Sequence, residues 1–305
     1  MIVVIINPIA GGCRADEARR RAALASALLS NAGETAEVFV TERKGHAREL
    51  AASAVARGAR LVIAWGGDGT INETASALVF RDAALGIVPS GSGNGLATGL
   101  RVSTRPERAI SDAVHAVPRA IDAGELGGRL FFSVAGVGLD AHIASSFDRQ
   151  TSRRRGFVTY ARMTARELFA YRSATYRLDW DPASHVADAA NAGVPTTPTR
   201  ALLVTLANGS QWGNGAIVAP FARLDDGRLD LVVVEERSRI ASIWALPRIF
   251  TGGIARLRGV WMRQVQRATI DSDAPMTFHV DGEPIEDGAH LEARVYPLAL
   301  RIAVR

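Results

Sequence analysis

The sequence is poor in several kinds of residue, and each shortage excludes a class of protein. Cys13 is the only cysteine in 305 residues, which excludes a disulfide framework and a cysteine-ligated zinc cluster and favours a reducing compartment. No apolar run approaches the roughly 18 residues that a membrane-spanning helix needs. The apolar start, MIVVII, is interrupted by Asn7 and Pro8 and has neither a basic leader nor a cleavage site. It therefore predicts a strand rather than a signal peptide.

Familiar nucleotide and nucleic-acid motifs are also missing. The chain has no G-x-x-x-x-G-K-[ST] loop, and the residues after the first apolar run, NPIAGG, do not fit G-x-G-x-x-G. It lacks the usual aromatic-and-basic motifs of nucleic-acid binding, so nucleic acid is not an expected partner. Arginine far outnumbers lysine, and the formal net charge of +5 favours anionic partners such as nucleotides, phosphates or a membrane surface.

The residues that are abundant predict a globular protein of one large or two ordinary domains, since 48% of the chain is hydrophobic. In residues 1–122, apolar runs alternate with helical patterns. Strands are predicted at 2–6, 36–40, 60–65 and 84–88, and helices at 16–29, 46–57, 71–80 and after Ser92. This alternation predicts an α/β domain with a doubly wound parallel sheet.

Residues 123–292 predict a second, β-rich domain. Turns separate most of its predicted strands, which lie at 129–139, 201–209, 228–236, 267–273 and 276–283. The pattern is typical of an antiparallel, sandwich-like domain. Helices are predicted at 157–171 and 239–250, and a loop at 181–199. Residues 293–305 include the apolar run LALRIAVR, which leaves open a return to the first domain.

Three glycine-rich loops follow predicted strands of the first domain: NPIAGG (7–12), GGDGT (66–70) and PSGSGNG (89–95). Ligands of parallel sheets bind beyond the carboxyl ends of the strands. Glycine allows the backbone to approach a phosphate closely and to adopt positive φ, and the amides of a following helix point towards an anion. Each loop alone could be a tight turn, but three at successive strand ends predict one phosphate site.

Asp68 is an unexpected residue in such a cradle, because a bare carboxylate repels phosphate. It fits there if it holds Mg²⁺, which prefers oxygen ligands and bridges to phosphates, or if it orients a water or hydroxyl. The stretch therefore predicts binding of a magnesium-bound nucleoside triphosphate.

Six motifs occur in the order seen in the diacylglycerol kinase catalytic-domain family: NPIAGG, GGDGTINE, PSGSGNGLA, GVGLDA, DDGRLDL and VDGEP. The chain resembles this family, which includes bacterial lipid kinases, sphingosine kinases and ceramide kinases, over essentially its whole length. The resemblance implies a nucleotide-binding α/β domain followed by a β-sandwich domain, and an ATP- and Mg²⁺-dependent lipid kinase. The implied ATP contacts are Asn7, Pro8, Ile9, Ala10, Gly11, Thr41, Gly66, Gly67, Asp68, Gly69, Thr70, Ile71, Asn72, Ser92 and Asn94.

The resemblance also implies roles in the second domain. Glu283 would be the general base that deprotonates a lipid hydroxyl, with Asp281 beside it; by sequence alone, DGEP is a polar hairpin turn. Asp226, through its side chain, and Arg223 and Arg228, through their carbonyls, would hold a structural Mg²⁺. Without the resemblance, DDG is a β-turn.

The third loop departs from the bacterial diacylglycerol kinase pattern and is more similar to that of sphingosine and ceramide kinases. The stretch that begins GVGLDA also resembles the region in which sphingosine kinases recognise the lipid head group, and the resemblance implies that role for Asp140. The substrate is therefore open among diacylglycerol, sphingoid and related lipids.

The run RQTSRRR (149–155) and the helix after it are expected to meet an anionic membrane, unless they form a solvated loop. The expected location is therefore cytoplasmic with peripheral membrane association, and a homo-oligomer is left open. The alternatives are an NAD kinase-like enzyme, which shares GGDGT, and a non-catalytic lipid-binding module.

Overall fold

The structure is a computed structural model, which describes residues 1–11, 15–149, 166–167, 171–182, 198–213, 215–238, 247–286 and 288–305. The chain divides into two compact units. The first comprises Met1–Ile121 with Leu298–Arg305, and the second comprises Asp122–Pro297. The first unit thus takes back a C-terminal segment that begins at Leu298, five residues later than the start considered from the sequence.

The first unit alternates strands and helices. Its strands are β1 (Ile2–Ile6), β2 (Ala36–Val40), β3 (Leu61–Gly66) and β4 (Ala84–Pro89), and its helices are α1 (Ala15–Asn31), α2 (His46–Ala56), α3 (Asp68–Leu78), α4 (Gly95–Gly99) and α5 (Pro106–His115). The strands pair in parallel in the order β4-β3-β1-β2. Every residue of β1, β3 and β4 is buried, which is why these strands are continuous apolar runs in the sequence.

The second unit is rich in antiparallel strands. The elements from residue 119 onward are β5 (Arg119–Leu126), β6 (Arg129–Phe131), β7 (Val134–Gly138), α6 (Leu139–Arg149), β8 (Ala174–Pro182), β9 (Thr199–Ala207), β10 (Gln211–Gly213), β11 (Ala216–Ile217), β12 (Leu229–Glu235), β13 (Val260–Ser272), β14 (Thr277–Val280), β15 (Glu283–Glu286) and β16 (His290–Ile302). The order β15-β14-β7-β9-β12-β13-β16 is joined by antiparallel pairs. Its core includes Phe131, Val204, Leu231 and Phe278.

Strand β16 contributes to both units. Its first residues pair antiparallel with β13, from His290 to Arg294. Leu298 has a positive φ of 49°, and beyond it Ile302 pairs in parallel with Leu85 of β4. The last residues of the chain are therefore part of the first unit's sheet.

The predicted fold class is correct in its coarse form, because an α/β unit is followed by a β-rich one. The parallel pairs described for this chain lie in the first unit, whose C-terminal segment includes Ile302, and most of the described pairs are antiparallel. The doubly wound arrangement, with helices on both faces, stays a prediction.

Two predicted boundaries were wrong for identifiable reasons. Helix α3 begins at Asp68, not at residue 71, because Asp68, Gly69 and Thr70 form its first turn after Gly67. The single strand predicted at 129–139 is divided into β6 and β7. The amides of Phe132 and Ser133 between them donate to the Asp281 carboxylate instead of to a neighbouring strand.

Other elements were missed or shortened by sequence reasoning. Strands β5 and β8 were not predicted, and β13 begins seven residues before the predicted start at 267. These strands carry many polar residues, which hide the apolar pattern. The predicted helices at 157–171 and 239–250 and the loop at 181–199 lie largely outside the described residues.

Candidate functional site

The three glycine-rich loops of the first unit lie beside one another at the carboxyl ends of β1, β3 and β4. Asn7 Nδ2, in the first loop, donates to Thr70 Oγ1 in the second at 2.9 Å. Asn7 Oδ1 accepts from the amide of Ile9 at 3.0 Å and so shapes its own loop. The Ser90 amide donates to the Gly66 carbonyl at 2.8 Å, which joins the second loop to the third.

Asp68 fastens the second loop to the third. Its Oδ2 accepts from the amide of Asn94, and its Oδ1 accepts from the amide of Gly95, both at 2.7 Å. Asn94 has a left-handed φ of 52°, and its side chain both accepts from the Gly91 amide and donates to the Gly91 carbonyl. The carboxylate predicted to hold magnesium therefore also has a structural role.

Close approach, rather than positive φ, explains most glycines of these loops. A Cβ atom on Gly91 would lie 2.6 Å from the Gly67 Cα, and one on Gly93 would lie 2.7 Å from Asp68 Oδ2. A Cβ on Gly66 would lie 2.5 Å from the Thr70 side chain. Among the described glycines of these loops, Gly11 alone has a positive φ, of 78°. The expectation of positive φ therefore holds at Gly11 and not at the other six described glycines of these loops.

Burial limits how some predicted ATP contacts could act. The side chains of Thr41, Thr70 and Ile71 are at least 90% buried, so they face the protein interior. The Ile71 amide also donates to the Gly67 carbonyl. By contrast Ile9 is 76% exposed and Ser92 is exposed, at the tips of the first and third loops. The remaining predicted contacts, Pro8, Ala10, Gly11, Gly69 and Asn72, are partly or fully exposed.

Two side chains that support these loops were not identified from the sequence. Arg21 of α1 donates to the Ala10 carbonyl at 3.3 Å and lies 5.7 Å from the Trp65 ring centroid. Glu73 of α3 accepts from the amides of Gly45 and Ala47, so it caps α2, whose own N-cap residue is a glycine. A signal was present for Glu73, since an acid one turn into a helix often meets backbone amides. No feature of the sequence indicated that its partners would be the amides of Gly45 and Ala47, which lie 28 and 26 residues away.

In the second unit, Glu283 is the first residue of β15 and directly follows a two-residue hairpin turn. Val280 pairs with Glu283, and the turn residues Asp281 and Gly282 have φ values of 48° and 84°. Two positive φ angles are typical of a type I′ turn, for which Asp-Gly is a preferred sequence. The interpretation of this motif as a hairpin turn is therefore correct, and it does not conflict with a role for Glu283.

The Asp281 carboxylate is used by the backbone. It accepts from the amides of Phe132, Ser133 and Val134 at 2.9, 2.8 and 3.1 Å. These bonds fix the hairpin turn to the segment between β6 and β7. Asp281 is thus placed as an anchor of the turn.

Asp140, predicted to recognise a lipid head group, is held inside the second unit. Its side chain is 6% exposed. Oδ1 accepts from the Ala141 amide at 2.8 Å, and Oδ2 accepts from Thr205 Oγ1 at 2.7 Å. Oδ2 also lies 3.2 Å from Nε2 of His279, which is 3% exposed. That pair is close enough for electrostatic attraction, but its angles fall short of a hydrogen bond.

The predicted metal turn lies between β11 and β12. Asp226 accepts from the Arg228 amide at 3.1 Å and from Gln264 Nε2 at 3.2 Å. Burial raises the pKa of Asp226, and the Asp122 carboxylate raises it further against the opposing effect of Arg228. Burial raises the pKa of Asp230 to about 7, with a further contribution from Asp226. The side chain of Arg223 lies 3.4 Å from Asp225.

Within the described ranges, no three His, Cys, Asp or Glu side chains are grouped to hold a metal ion. Within the same ranges, no helix has the length and apolar character needed to cross a membrane. The basic residues 150–155 lie outside the described part of the chain.

Comparison with known protein families decides the relationship. Residues 1–126 match the diacylglycerol kinase catalytic domain, and residues 133–304 match the YegS C-terminal NAD kinase beta sandwich-like domain. The chain belongs to the diacylglycerol kinase catalytic-domain family. The recognition made from the six motifs is confirmed, and membership of this family makes the chain a kinase.

Relatives and structures of the family agree with this assignment. A protein from Chromohalobacter salexigens, named "Probable lipid kinase YegS-like", is 32% identical over 84% of this chain and 80% of its own length. A protein of the same name from Pseudomonas fluorescens is 29% identical over 89% of this chain and 86% of its own length. A diacylglycerol kinase structure from Bacillus anthracis has a TM-score of 0.70 at 17% identity over 100% of this chain and 96% of its own. At that identity it shows a shared fold.

Proposed function

We propose that this family member is an ATP-dependent lipid kinase, which transfers the γ-phosphoryl group of ATP to a lipid hydroxyl. One observation carries the proposal. Three glycine-rich loops are joined at the carboxyl ends of neighbouring parallel strands by Asn7, Asp68 and backbone bonds. An eleven-residue helix, α3, begins in the middle loop and directs its N-terminal amides and dipole towards any anion bound there.

The loops have the chemistry that a triphosphate needs. Backbone amides and the helix N-terminus would stabilise phosphate oxygens, and Arg21 adds a fixed positive charge behind the first loop. Mg²⁺ commonly takes one or two carboxylates, several waters and substrate phosphates rather than an all-protein cage. Asp68 fits that pattern as the carboxylate of the middle loop. When bound, the ion would neutralise charge on the triphosphate.

Glu283 is the proposed general base. It lies partly exposed at the start of β15, where the two-residue turn and the pairing of β15 with β14 fix its backbone. A carboxylate in that position can accept the proton of a lipid alcohol as the hydroxyl oxygen attacks phosphorus. Phosphoryl transfer depends chiefly on such positioning and on electrostatic stabilisation.

We further propose that Asp226, with the backbone carbonyls of Arg223 and Arg228, holds a structural Mg²⁺. The proposal is supported by the like-charged carboxylates of Asp122 and Asp230 near Asp226, whose repulsion a cation would offset. Asp226→Asn should abolish a Mg²⁺-dependent rise in Tm, whereas Asp225→Asn, the exposed neighbour, should preserve it. An equal rise in both variants would contradict this site.

A lipid acceptor is supported by the names of the relatives. Peripheral contact with an anionic membrane through the basic run at 149–155 stays a prediction, as does homo-oligomerisation. Replacing Arg153, Arg154 and Arg155 with alanine should lower affinity for anionic vesicles and leave turnover of a short-chain soluble substrate unchanged.

The decisive experiment is a radiolabelled-ATP assay with Mg²⁺ and a panel of acceptors: diacylglycerol, monoacylglycerol, phosphatidylglycerol, sphingosine, ceramide and NAD. We expect transfer to at least one lipid and none to NAD. Transfer to NAD alone would favour the small-molecule kinase. Intact ATP binding with no transfer to any acceptor would overturn the lipid-kinase proposal and favour a non-catalytic lipid-binding module.

A further inference from the structure

A buried polar cluster lies next to the hairpin turn that immediately precedes Glu283. It consists of Asp140 at the start of α6, Thr205 on β9 and His279 on β14. Asp140 and His279 are 6% and 3% exposed, so the cluster is sequestered from solvent. Thr205 is fully buried and donates its hydroxyl hydrogen to Asp140 at 2.7 Å. Buried charged and polar groups are costly unless they are paired, so such a cluster calls for an explanation.

The hydrogen bond from the turn indicates which tautomer of the neutral His279 ring is present. The Gly282 amide donates to His279 Nδ1 at 3.3 Å. Nδ1 must therefore carry a lone pair, which places the ring hydrogen of the neutral imidazole on Nε2. Nε2 faces Asp140 Oδ2 at 3.2 Å. The imidazole thus lies between the Asp140 carboxylate, which attracts the Nε2 hydrogen, and the turn, whose Gly282 amide donates to Nδ1.

The other described contacts of the turn are made by the neighbours of Gly282. Asp281 is anchored by its three amide contacts, and Glu283 pairs with Val280. Gly282 itself is exposed, and a Cβ placed on it would touch nothing within 4 Å. The hydrogen bond from the Gly282 amide to His279 is therefore a specific restraint on the residue immediately before Glu283.

We propose that His279 is a positioning residue for Glu283, and that Asp140 and Thr205 hold its ring in the required orientation and tautomer. Asp140 then acts inside the protein rather than on a lipid head group. The inference rests on the proposed function, since it assigns these residues to the placement of its general base. A shift of about 1 Å in a catalytic group can lower the rate roughly 100-fold, which makes a restraint at Gly282 consequential.

The test compares His279→Leu with His279→Asn. Leucine removes both nitrogens, whereas the asparagine Oδ1 can take the place of Nδ1 and accept from the Gly282 amide. We expect His279→Leu to lower kcat roughly 10- to 100-fold with the KM for ATP unchanged. His279→Asn should return kcat to within about threefold of the wild-type value, because it restores the acceptor.

Phe278→Leu is the matched control for lost stability. Phe278 is fully buried on the same strand, and it belongs to the hydrophobic core rather than to the cluster. It should lower Tm without lowering kcat per folded molecule. If His279→Leu and Phe278→Leu had the same kcat at matched folded fraction, His279 would be a packing residue and the inference would be overturned.

The roles of Asp140 and Thr205 are tested by measuring kcat and KM in variants of each residue. Thr205→Val removes the hydroxyl with little change of shape, and Asp140→Asn removes the charge that faces Nε2. Both should lower kcat in the same direction as His279→Leu. A selective rise in the KM for the lipid, with kcat unchanged, would instead place Asp140 at the head group and overturn its role as a support.

Hydrogen exchange of the Gly282 amide tests whether His279 restrains the turn, independently of any activity measurement. In ¹⁵N-glycine-labelled protein, the Gly282 amide should exchange roughly 3- to 10-fold faster in His279→Leu and at nearly the wild-type rate in His279→Asn. Unchanged exchange in His279→Leu would overturn the inference. Wild-type protein inactive on every acceptor would overturn the proposed function and the catalytic part of the inference, while exchange would still decide whether His279 fixes the turn.

Discussion

Asp68 combines a structural duty with the proposed support of magnesium. Its two oxygens accept from the amides of Asn94 and Gly95, and asparagine at this position offers one acceptor and no charge. We expect Asp68→Asn to lower kcat roughly 100-fold and to cost about 1–3 kcal/mol of stability. Steady-state kinetics and urea unfolding would measure these effects separately.

The control for this substitution is Asp82→Asn, which makes the same chemical change at an exposed position of the first unit. It should alter stability by less than about 0.5 kcal/mol and leave turnover unchanged. Near-normal activity of Asp68→Asn at saturating Mg²⁺ would show that its charge is dispensable.

Glu283 is expected to act in the transition state. Glu283→Gln should bind ATP and lipid about as well as the wild-type protein, while kcat falls by roughly 100- to 10,000-fold at neutral pH. Glu286→Gln, on the same strand but exposed, should retain full turnover. A loss of less than about threefold for Glu283→Gln would move the base elsewhere. Asp281, the next carboxylate, is already committed to three backbone amides.

Sequence reasoning identified the acidic residues Asp68, Asp281 and Asp140 but not the groups that they contact. The residue types and their motifs are local, whereas the amide partners of Asp68 lie 26 and 27 residues away and those of Asp281 about 148. His279 lacked a local signal, because an isolated histidine on a strand is indistinguishable from a core residue. Its importance depends on Asp140, 139 positions earlier.

The second and third loops pack backbone against backbone, so their glycines are required by space. A Cβ on Gly91 would lie 2.6 Å from the Gly67 Cα, and a backbone atom cannot move aside as a flexible side chain can. We expect Gly91→Ala to cost about 1–3 kcal/mol and to weaken ATP binding by separating the loops. Urea unfolding and nucleotide titration would measure both effects.

Gly99→Ala is the control, because a Cβ there meets nothing within 4 Å. It should be neutral or slightly stabilising, since alanine has less conformational freedom in the unfolded chain. Unaltered ATP affinity and stability in Gly91→Ala would contradict the close packing of the two loops. Gly67→Asp, which adds a second carboxylate to the phosphate loops, should abolish ATP binding in the same nucleotide titration.

Short strands made largely of apolar residues were predictable, and strands with many polar residues were not. The bounds of β1 and β2 agree with the sequence prediction, and β3 and β4 differ from it by one residue. The β6–β7 interruption could not be predicted, because it is caused by a carboxylate from a distant turn. The length of β13 was hidden by arginine and glutamine along the strand, which do not give an apolar alternation.

The two-unit organisation was predictable because helical and strand-rich patterns change near residue 122. The sharing of β16 was not, since periodicity gives no partner for a strand. Deleting residues 298–305 should remove the pairing of Ile302 with Leu85 and the burial of Leu300 and Ile302. Loss of a buried aliphatic side chain costs about 2–5 kcal/mol, so we expect the first unit to unfold or to become protease-sensitive.

Calorimetry and limited proteolysis would measure this effect. Removal of Arg305 alone, an exposed residue, is the control and should leave the transition unchanged. A truncated chain with the wild-type transition would show that the last strand residues contribute little to the first unit.

The shared strand also sets an order of events during protein synthesis. The first 121 residues leave the ribosome early, but the segment that pairs with β4 begins at Leu298. At about 5–20 residues per second, translation of the intervening chain takes roughly 10 to 35 s. Throughout that interval β4 presents an open backbone edge, the kind of surface that recruits other strands. We therefore expect this edge of the nascent first unit to be open to wrong strand pairing until residues 298–305 emerge.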